Sequence, residues 1–210
     1  MPLVEKKYLQ EDCLFGLWKI TEDYDELLTQ VILVEQDIER LNGFKNQRRK
    51  QESLSVRALL SNLTYPGARI IYDEKRKPFL LDSSHHISIS HSRDYTAILL
   101  SRERRIGIDL EYMSHDIARV SSHFLTKDEY ITPDPGLSTL HMYIHWCAKE
   151  ALYKICDKKD IIFNQNLTIL PFEPSLEGQM KGIHHGEDFT EIFDLSYWVD
   201  GNYVIVYCLK

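Results

Sequence analysis

Two carboxylates lie close together in one short segment that reads as a β-strand. Over residues 106–111 apolar residues alternate with Gly107, Asp109 and Glu111, so both acidic side chains point to the same face of the strand. Neighbouring carboxylates repel each other unless a cation lies near them, and a divalent cation with oxygen ligands is one explanation of the pair. The other explanation is a solvated acidic face on an edge strand, which the short pattern alone favours.

A later segment supplies a third carboxylate and a lysine. Periodicity predicts a helix over residues 138–156, in which Trp146, Glu150 and Lys154 follow one another at four-residue steps on one stripe. Glu150 would be a third oxygen ligand for the cation, and Lys154 would contact a phosphate or handle a proton. The simpler alternative is a surface ion pair of Glu150 with Lys154, which contributes about 0.2–0.5 kcal/mol.

Two other patterns are compatible with metal binding or catalysis. His141 and His145 are four residues apart on the same helix, a spacing that can bind zinc, but no third ligand is evident and a structural or surface role is favoured. The Ser-Ile-Ser-His-Ser segment at 88–92 could place a hydroxyl and an imidazole around an anion. The sequence has neither the G-x-S-x-G turn of serine hydrolases nor a glycine-rich P-loop.

The length and composition predict an ordinary folded protein. The 210 residues are 43% hydrophobic and 27% charged, which allows one large domain or two small halves around a packed core. The apolar runs are far shorter than the roughly 20 residues of a membrane-spanning helix, and the N-terminus shows no secretory signal pattern. The four cysteines form no C-x-x-C pair. We therefore expect a cytoplasmic protein that does not contact membranes and keeps its thiols reduced.

The charge distribution is uneven. The net charge of −7 argues against nonspecific nucleic-acid binding. Residues 1–105 carry 17 Lys and Arg against 16 Asp and Glu, a balance of +1, whereas residues 106–210 carry 8 against 16, a balance of −8. Two basic clusters occur in the first half, one spanning residues 45–57 and the other residues 75–77. Such clusters are usually solvated surfaces, and the alternative is a site for a small ligand with several phosphates.

The element pattern predicts an α+β fold with mainly antiparallel strands, in which helices and strands alternate twice. Helices are expected over residues 27–41, 47–62 and 138–156, the first ending at Asn42 and Gly43. Strands are expected over residues 13–20, 70–72, 87–91, 95–101 and 106–111, with a final hairpin joined at Asp200 and Gly201. The strands at 95–101 and 106–111 are expected to form a hairpin around the polar turn at 102–105.

Three motifs in order carry a resemblance to a known family. Residues 89–92 (Ile-Ser-His-Ser), 107–111 (Gly-Ile-Asp-Leu-Glu) and 146–154 (Trp-Cys-Ala-Lys-Glu-Ala-Leu-Tyr-Lys) together resemble the 4'-phosphopantetheinyl transferase superfamily. The resemblance extends to a Phe and Glu element at 124–129, to a helix with Arg48 and Arg57, and to the Lys77-Pro78 turn. It covers roughly residues 45–170. Two departures are Arg76, where the family has glycine, and residues 155–160, where relatives often have a glycine-rich segment.

The resemblance implies both a fold and a reaction. The chain length is similar to that of the longer, surfactin-synthetase-activating type, a pseudo-dimer of two similar α/β halves with the active site between them. Residues 1–105 would form the half that binds the phosphates of coenzyme A, and residues 106–210 the half that binds Mg²⁺. The implied enzyme, of holo-acyl-carrier-protein synthase type, moves 4'-phosphopantetheine from coenzyme A to a serine of an apo acyl or peptidyl carrier protein and releases adenosine 3',5'-bisphosphate.

The family roles transfer to individual residues of this sequence. Asp109, Glu111 and Glu150 would bind Mg²⁺, with Mn²⁺ as an alternative, and either Glu150 or Lys154 would take the proton of the carrier serine. The residues implied to bind coenzyme A are Arg48, Lys77, Pro78, Ser90, His91, Asp109 and Lys154. We expect a monomer. Fatty-acid, polyketide and nonribosomal-peptide pathways all stay open, as do a noncatalytic binding module and a magnesium-dependent phosphohydrolase.

Overall fold

The chain divides into two compact units, Met1–Glu103 and Arg104–Lys210, in a computed structural model. The structure describes residues 2–114, 116–156 and 160–210. Each unit packs a long helix on an antiparallel sheet, so the predicted α+β class with mainly antiparallel strands is confirmed. Within the described residues, no helix is both long and apolar enough to cross a bilayer.

In the first unit, a four-stranded sheet supports the longest helix. The helices are α1 (Tyr24–Thr29), α2 (Glu35–Gly43) and α3 (Gln47–Leu63), and the strands are β1 (Leu3–Gln10), β2 (Cys13–Lys19), β3 (Ile70–Tyr72), β4 (Pro78–Leu80), β5 (His86–Ser92) and β6 (Tyr95–Ser101). The sheet order is β1-β2-β6-β5, and β3 pairs with β4 separately. Leu59 and Leu60 of α3 are fully buried in one core with Ile98 of β6.

Two sequence expectations for this unit were wrong or incomplete. The single helix expected over residues 27–41 is interrupted, because α1 ends at Thr29, whose hydroxyl donates to the Glu26 carbonyl at 2.7 Å. A new helix start follows, where the Asp37 carboxylate accepts from the Val34 backbone N–H. The edge strand β1 was not predicted, since its charged residues mask a weak alternation of half-buried and exposed positions.

The second unit is built on a five-stranded sheet. Its helices are α4 (Ser121–Phe124), α5 (Ser138–Ile155) and α6 (Phe163–Asn166), and its strands are β7 (Ile106–Tyr112), β8 (Leu167–Ile169), β9 (Glu177–His185), β10 (Thr190–Asp200) and β11 (Tyr203–Leu209). The sheet order is β7-β11-β10-β9-β8. The predicted hairpin of β10 and β11 is confirmed, with Gly201 in the left-handed region at φ 56°.

The hairpin expected from residues 95–101 and 106–111 is wrong. Strand β6 pairs with β2 and β5, whereas β7 pairs with β11 at the other end of the second unit. The segment between β6 and β7 therefore passes from one unit to the next. Short polar turns usually join paired strands, but the choice of a partner almost 100 residues later leaves no local signal.

Helix α5 packs directly on β7 and β11. A methyl group added at Gly107 of β7 would lie 2.1 Å from the Ala151 carbonyl oxygen of α5, so the close approach of strand and helix requires glycine at this position. The face of β7 that carries Gly107 and Asp109 is therefore turned toward α5.

We expect Gly107→Ala to lower the free energy of unfolding by about 1–3 kcal/mol or more, because β7 and α5 must separate to admit the methyl group. Urea denaturation followed by far-ultraviolet circular dichroism measures the change. Gly43→Ala is the matched control, since nothing lies within 4 Å of its added methyl group. Equal unfolding midpoints for the two variants would contradict the close contact.

Candidate functional site

Asp109 and Lys154 form a shielded ion pair where β7 meets α5. The Lys154 Nζ donates to Asp109 Oδ1 and to the Ile108 carbonyl oxygen, both at 2.8 Å. Asp109 is only 3% exposed. Although β7 is an edge strand, its acidic face is covered by α5, so the alternative of a solvated acidic face is wrong for Asp109. The lysine pairs with Asp109, a contact that the i,i+4 spacing on the helix did not predict.

Glu111 lies on β7 and Glu150 on α5, the two elements that the Asp109–Lys154 ion pair joins. The indole Nε1 of Trp146 donates to Glu111 Oε1 at 3.4 Å, and the ring is held edge-on against Phe124, with centroids 5.3 Å apart. Glu150 is half-buried and lies on α5 one turn from both Trp146 and Lys154. The helix thus presents Trp146, Glu150 and Lys154 along one half-buried stripe, as the sequence predicts.

This donor set has the chemistry of a hard divalent cation site. Three carboxylates on a strand and a helix offer only oxygen atoms, the ligands that Mg²⁺ and Mn²⁺ prefer. The nearby Cys147 does not change this assignment. Burial raises the pKa of its thiol well above the ordinary value, and the charges of Asp109 and Glu111 raise it further, so the thiol stays protonated and is a poor ligand or nucleophile.

In the first unit, Glu52 gathers several of the predicted phosphate-binding residues. Its carboxylate lies 3.9 Å from Arg48 Nε, 3.6 Å from His91 Nδ1 and 3.3 Å from Arg49 Nη1. Arg48 also contacts Asp94 at 3.1 Å. Helix α3 and strand β5 therefore bring Arg48, Arg49 and His91 together around the buried carboxylate of Glu52. The only sign of this role of Glu52 in the sequence is its i,i+4 spacing from Arg48.

The other predicted residues of this unit differ in environment. Ser90 is buried on β5, and its neighbour His91 points to the opposite face of the strand. Arg57 is buried in an ion pair with Asp37 and donates to the Ser53 carbonyl at 2.8 Å. Its guanidinium therefore links α3 to α2 and has a structural role.

Lys77 and Pro78 lie where the β3–β4 hairpin turns, and β4 packs against β5. The Asp73 carboxylate accepts from the Lys77 backbone N–H at 2.7 Å. Arg76 has a φ of 61°, the left-handed conformation that glycine adopts most easily. The departure from the family glycine therefore leaves the left-handed turn in place. Half of the other departure, residues 157–159, lies outside the described residues.

Lys149 has a role that its position on the helix did not reveal. Its fully buried Nζ donates to Glu129 Oε2 and the Phe124 carbonyl, both at 2.6 Å, and to the Leu167 carbonyl at 2.8 Å. The second Glu129 oxygen accepts from the Ile169 N–H at 2.6 Å. This buried pair fastens the segment after α4 and strand β8 to the helix that carries Glu150 and Lys154.

His141 and His145 are buried structural residues. The Thr132 backbone N–H donates to His141 Nδ1, and His145 Nδ1 donates to the His141 carbonyl, both at 3.1 Å. These contacts assign the His141 proton to Nε2, which removes the lone pair that zinc would need there. Burial lowers the pKa of both rings, that of His145 to about 3. The pair packs on Phe172, in keeping with the structural role that the sequence favoured.

The two histidines make the fold sensitive to acid. A histidine whose pKa is lower in the folded chain contributes its full stability above about pH 6.5 and loses it as the pH falls. We expect His145→Phe, which keeps a ring against Phe172, to make the loss of unfolding free energy below that pH shallower by about 1.4 kcal/mol per pH unit. Urea titrations between pH 7 and 4 measure the slope. The exposed His123→Gln is the control, and equal slopes for both variants would contradict the assignment.

The family model and the relatives that match this chain name the same kind of enzyme. The family model for the 4'-phosphopantetheinyl transferase superfamily matches residues 105–208. The chain is 31% identical over 116 residues to the 4'-phosphopantetheinyl transferases AcpT of Escherichia coli O157:H7 and Escherichia coli strain K12, a match that covers 50% of this chain and 57% of each relative. It is 27% identical over 158 residues to the 4'-phosphopantetheinyl transferase HetI of Nostoc sp., covering 66% of both chains. The chain thus spans little more than half the length of the AcpT proteins.

Proposed function

Since the chain belongs to the 4'-phosphopantetheinyl transferase superfamily, we propose that it transfers the 4'-phosphopantetheine arm of coenzyme A to a serine of an apo acyl or peptidyl carrier protein. In this reaction the serine oxygen bonds to the pantetheine-side phosphorus, and adenosine 3',5'-bisphosphate leaves. One observation carries the proposal: the buried Asp109 is paired with Lys154. Asp109 shares its strand with Glu111, and Lys154 shares its helix with Glu150.

Asp109, Glu111 and Glu150 are the residues that would hold Mg²⁺, or alternatively Mn²⁺. Their all-oxygen donor set and their placement on regular elements support this assignment. When bound, the metal supplies charge that offsets the pyrophosphate of coenzyme A. Trp146 holds Glu111 in place through its indole N–H, so the proposed ligand is oriented before the substrate arrives.

Lys154 and Glu150 have different parts in the proposed reaction. The Lys154 ammonium donates to two oxygens, and such a donor suits contact with pyrophosphate oxygens rather than acceptance of a proton. Glu150 is the stripe residue that can accept the serine proton, directly or through water. Lys149 positions this stripe by fixing the helix to its surroundings.

We assign the phosphates of coenzyme A to the first unit, through Arg48, Lys77, Ser90 and His91 with the turn at Pro78. The network around Glu52 supports this role for Arg48 and His91, because it holds the guanidinium and the imidazole in one place. The charge balance of +1 over residues 1–105 and −8 over residues 106–210 is in keeping with a phosphate-binding half and a metal-binding half.

We further propose that the protein acts as a cytoplasmic monomer of the surfactin-synthetase-activating type. Its four buried cysteines, which form no disulfide among the described residues, suit a reducing compartment. The acceptor is a carrier protein of fatty-acid, polyketide or nonribosomal-peptide synthesis.

The test is the intact mass of an apo carrier protein after incubation with this protein, coenzyme A and Mg²⁺, beside a chelated control. We expect a metal-dependent gain of one phosphopantetheine group. Tight binding of coenzyme A with no gain on any carrier would support a noncatalytic binding module. Release of pantetheine phosphate without an acceptor would support a phosphohydrolase.

We expect Asp109→Asn and Glu150→Gln each to slow the transfer by about 100-fold or more, because each removes a charge on which transition-state stabilisation depends. The mass assay under initial-rate conditions measures the effect. Asp194→Asn is the matched control, since its ion pair with Lys181 lies on the surface of the same unit. Near-normal rates in both folded variants would exclude the proposed metal ligands.

Lys154→Ala should lower kcat by about 100-fold while the KM for the carrier protein changes little, because the proposed contact is with the pyrophosphate in the transition state. Lys181→Ala removes an exposed lysine of the same unit and serves as its control. A raised KM for the carrier with unchanged kcat would assign Lys154 to docking instead.

A further inference from the structure

Cys156, His184 and Glu191 form a second cluster of side chains that bind metals. One ligand atom from each of the three residues lies within 4.8 Å of the others. His184 on β9 and Glu191 on β10 are direct cross-strand partners, so the register of the sheet places them on the same face. Cys156 follows the last residue of α5, which packs on both strands. The end of α5 and the β9–β10 hairpin therefore converge on one point.

The separations fit a tetrahedral metal ion. A zinc ion has bonds of about 2.0–2.3 Å to nitrogen, oxygen and sulfur, which places tetrahedral ligand atoms about 3.3–3.8 Å apart. The three atoms of the cluster lie within 4.8 Å of one another, so an approach of about 1 Å would bring them to tetrahedral separations. Side-chain rotation alone can supply a movement of this size.

Cys156 and His184 are shielded from solvent, and the charge states of His184 and Glu191 suit metal ligands. Cys156 and His184 are each 9% exposed. Burial lowers the pKa of His184, which favours the neutral imidazole that binds metals. Burial alone would raise the pKa of Glu191, but hydrogen bonds from Lys210 and Arg105 lower it below its ordinary value. Both cations contact Oε1 of Glu191, so coordination through Oε2 would keep both ion pairs.

The hairpin of β9 and β10 holds His184 in position. The Phe189 ring packs edge-on against the imidazole, with centroids 5.2 Å apart and planes at 83°. A methyl group at Gly186 would lie 2.2 Å from that ring, so the glycine gives Phe189 the space to lie there. The Gly186 N–H donates to the Phe189 carbonyl at 2.9 Å and closes the turn. The imidazole is thus preorganised by its own hairpin.

An open pocket of about 620 Å³ adjoins the cluster, with Arg105, Asn166, His185 and Phe189 among its lining residues. We propose that Cys156, His184 and Glu191 bind a zinc ion, with a water molecule from this pocket as the fourth ligand. Thiolate and imidazole donors select zinc over magnesium, so this site differs in chemistry from the carboxylates at Asp109. The ion would fasten the end of α5, which carries Glu150 and Lys154, to the β9–β10 hairpin.

The test replaces zinc with Co²⁺, whose bond to a thiolate gives a charge-transfer absorption in the near ultraviolet. The 210-residue chain, freed of metal and held in excess Mg²⁺ to fill carboxylate sites, is titrated with Co²⁺. We expect one Co²⁺ per chain with this absorption, and its displacement by Zn²⁺. This readout does not depend on transfer, so it can fail or succeed independently of the proposed enzymatic activity.

Cys156→Ser and His184→Gln should abolish the absorption and weaken Zn²⁺ binding by more than about 100-fold, since loss of an outer-shell partner alone costs about 10- to 100-fold. Cys147→Ser and His185→Gln are the matched controls. The first changes the thiol beside Asp109 and Glu111, and the second changes the adjacent histidine, which contacts Thr168. The melting temperature should rise with Zn²⁺ in the controls and not in the two ligand variants. An absorption that is absent from the wild type, survives Cys156→Ser or disappears in Cys147→Ser overturns the proposal.

Discussion

The contact between Gly107 and the Ala151 carbonyl is the constraint on which the second unit depends. A strand and a helix that approach so closely leave no room for a side chain at residue 107. The same close approach determines the environment of Asp109, two residues later. Asp109 points the same way as Gly107 and is therefore buried under α5. A buried carboxylate needs a compensating charge, and Lys154, one turn beyond the contact, supplies it at 2.8 Å. The polar site thus follows from an apolar packing requirement.

Two lysines of helix α5 each pair with a buried carboxylate. Lys149 is fully buried and neutralises Glu129 in a pair whose remaining hydrogen-bonding positions are filled by backbone groups, which is the condition under which a buried ion pair is tolerated. Lys154 lies on the half-buried stripe and keeps partial contact with solvent. The first lysine fixes the position of the helix, and the second lies at the edge of the packed region beside Asp109. Breaking the first pair would therefore disturb the second indirectly.

The sequence predicts those features that local periodicity encodes. The stripe of Trp146, Glu150 and Lys154 and the shared face of Gly107 and Asp109 follow from the 3.6- and 2-residue repeats. Contacts between residues distant in sequence cannot be predicted in this way. Strand β7 pairs with β11 rather than with β6, and Glu52 contacts basic side chains of both α3 and β5. The apolar spacing also does not predict the interruption between α1 and α2. There, hydrogen bonds between side chains and the backbone end one helix and begin the next, although the apolar spacing continues.

The same separation of local and distant signals explains why the Cys156 cluster has no sequence motif. The register of one hairpin joins His184 to Glu191, but Cys156 comes from the end of a helix, and no fixed spacing joins it to them. Polar residues on the core-facing side of a sheet carry a desolvation cost, and at Glu191 two cations offset it. Burial lowers the pKa of His184, which favours a neutral imidazole on this face of the sheet. A neutral imidazole, a thiol and an anchored carboxylate side by side supply the nitrogen, sulfur and oxygen donors of the proposed zinc site.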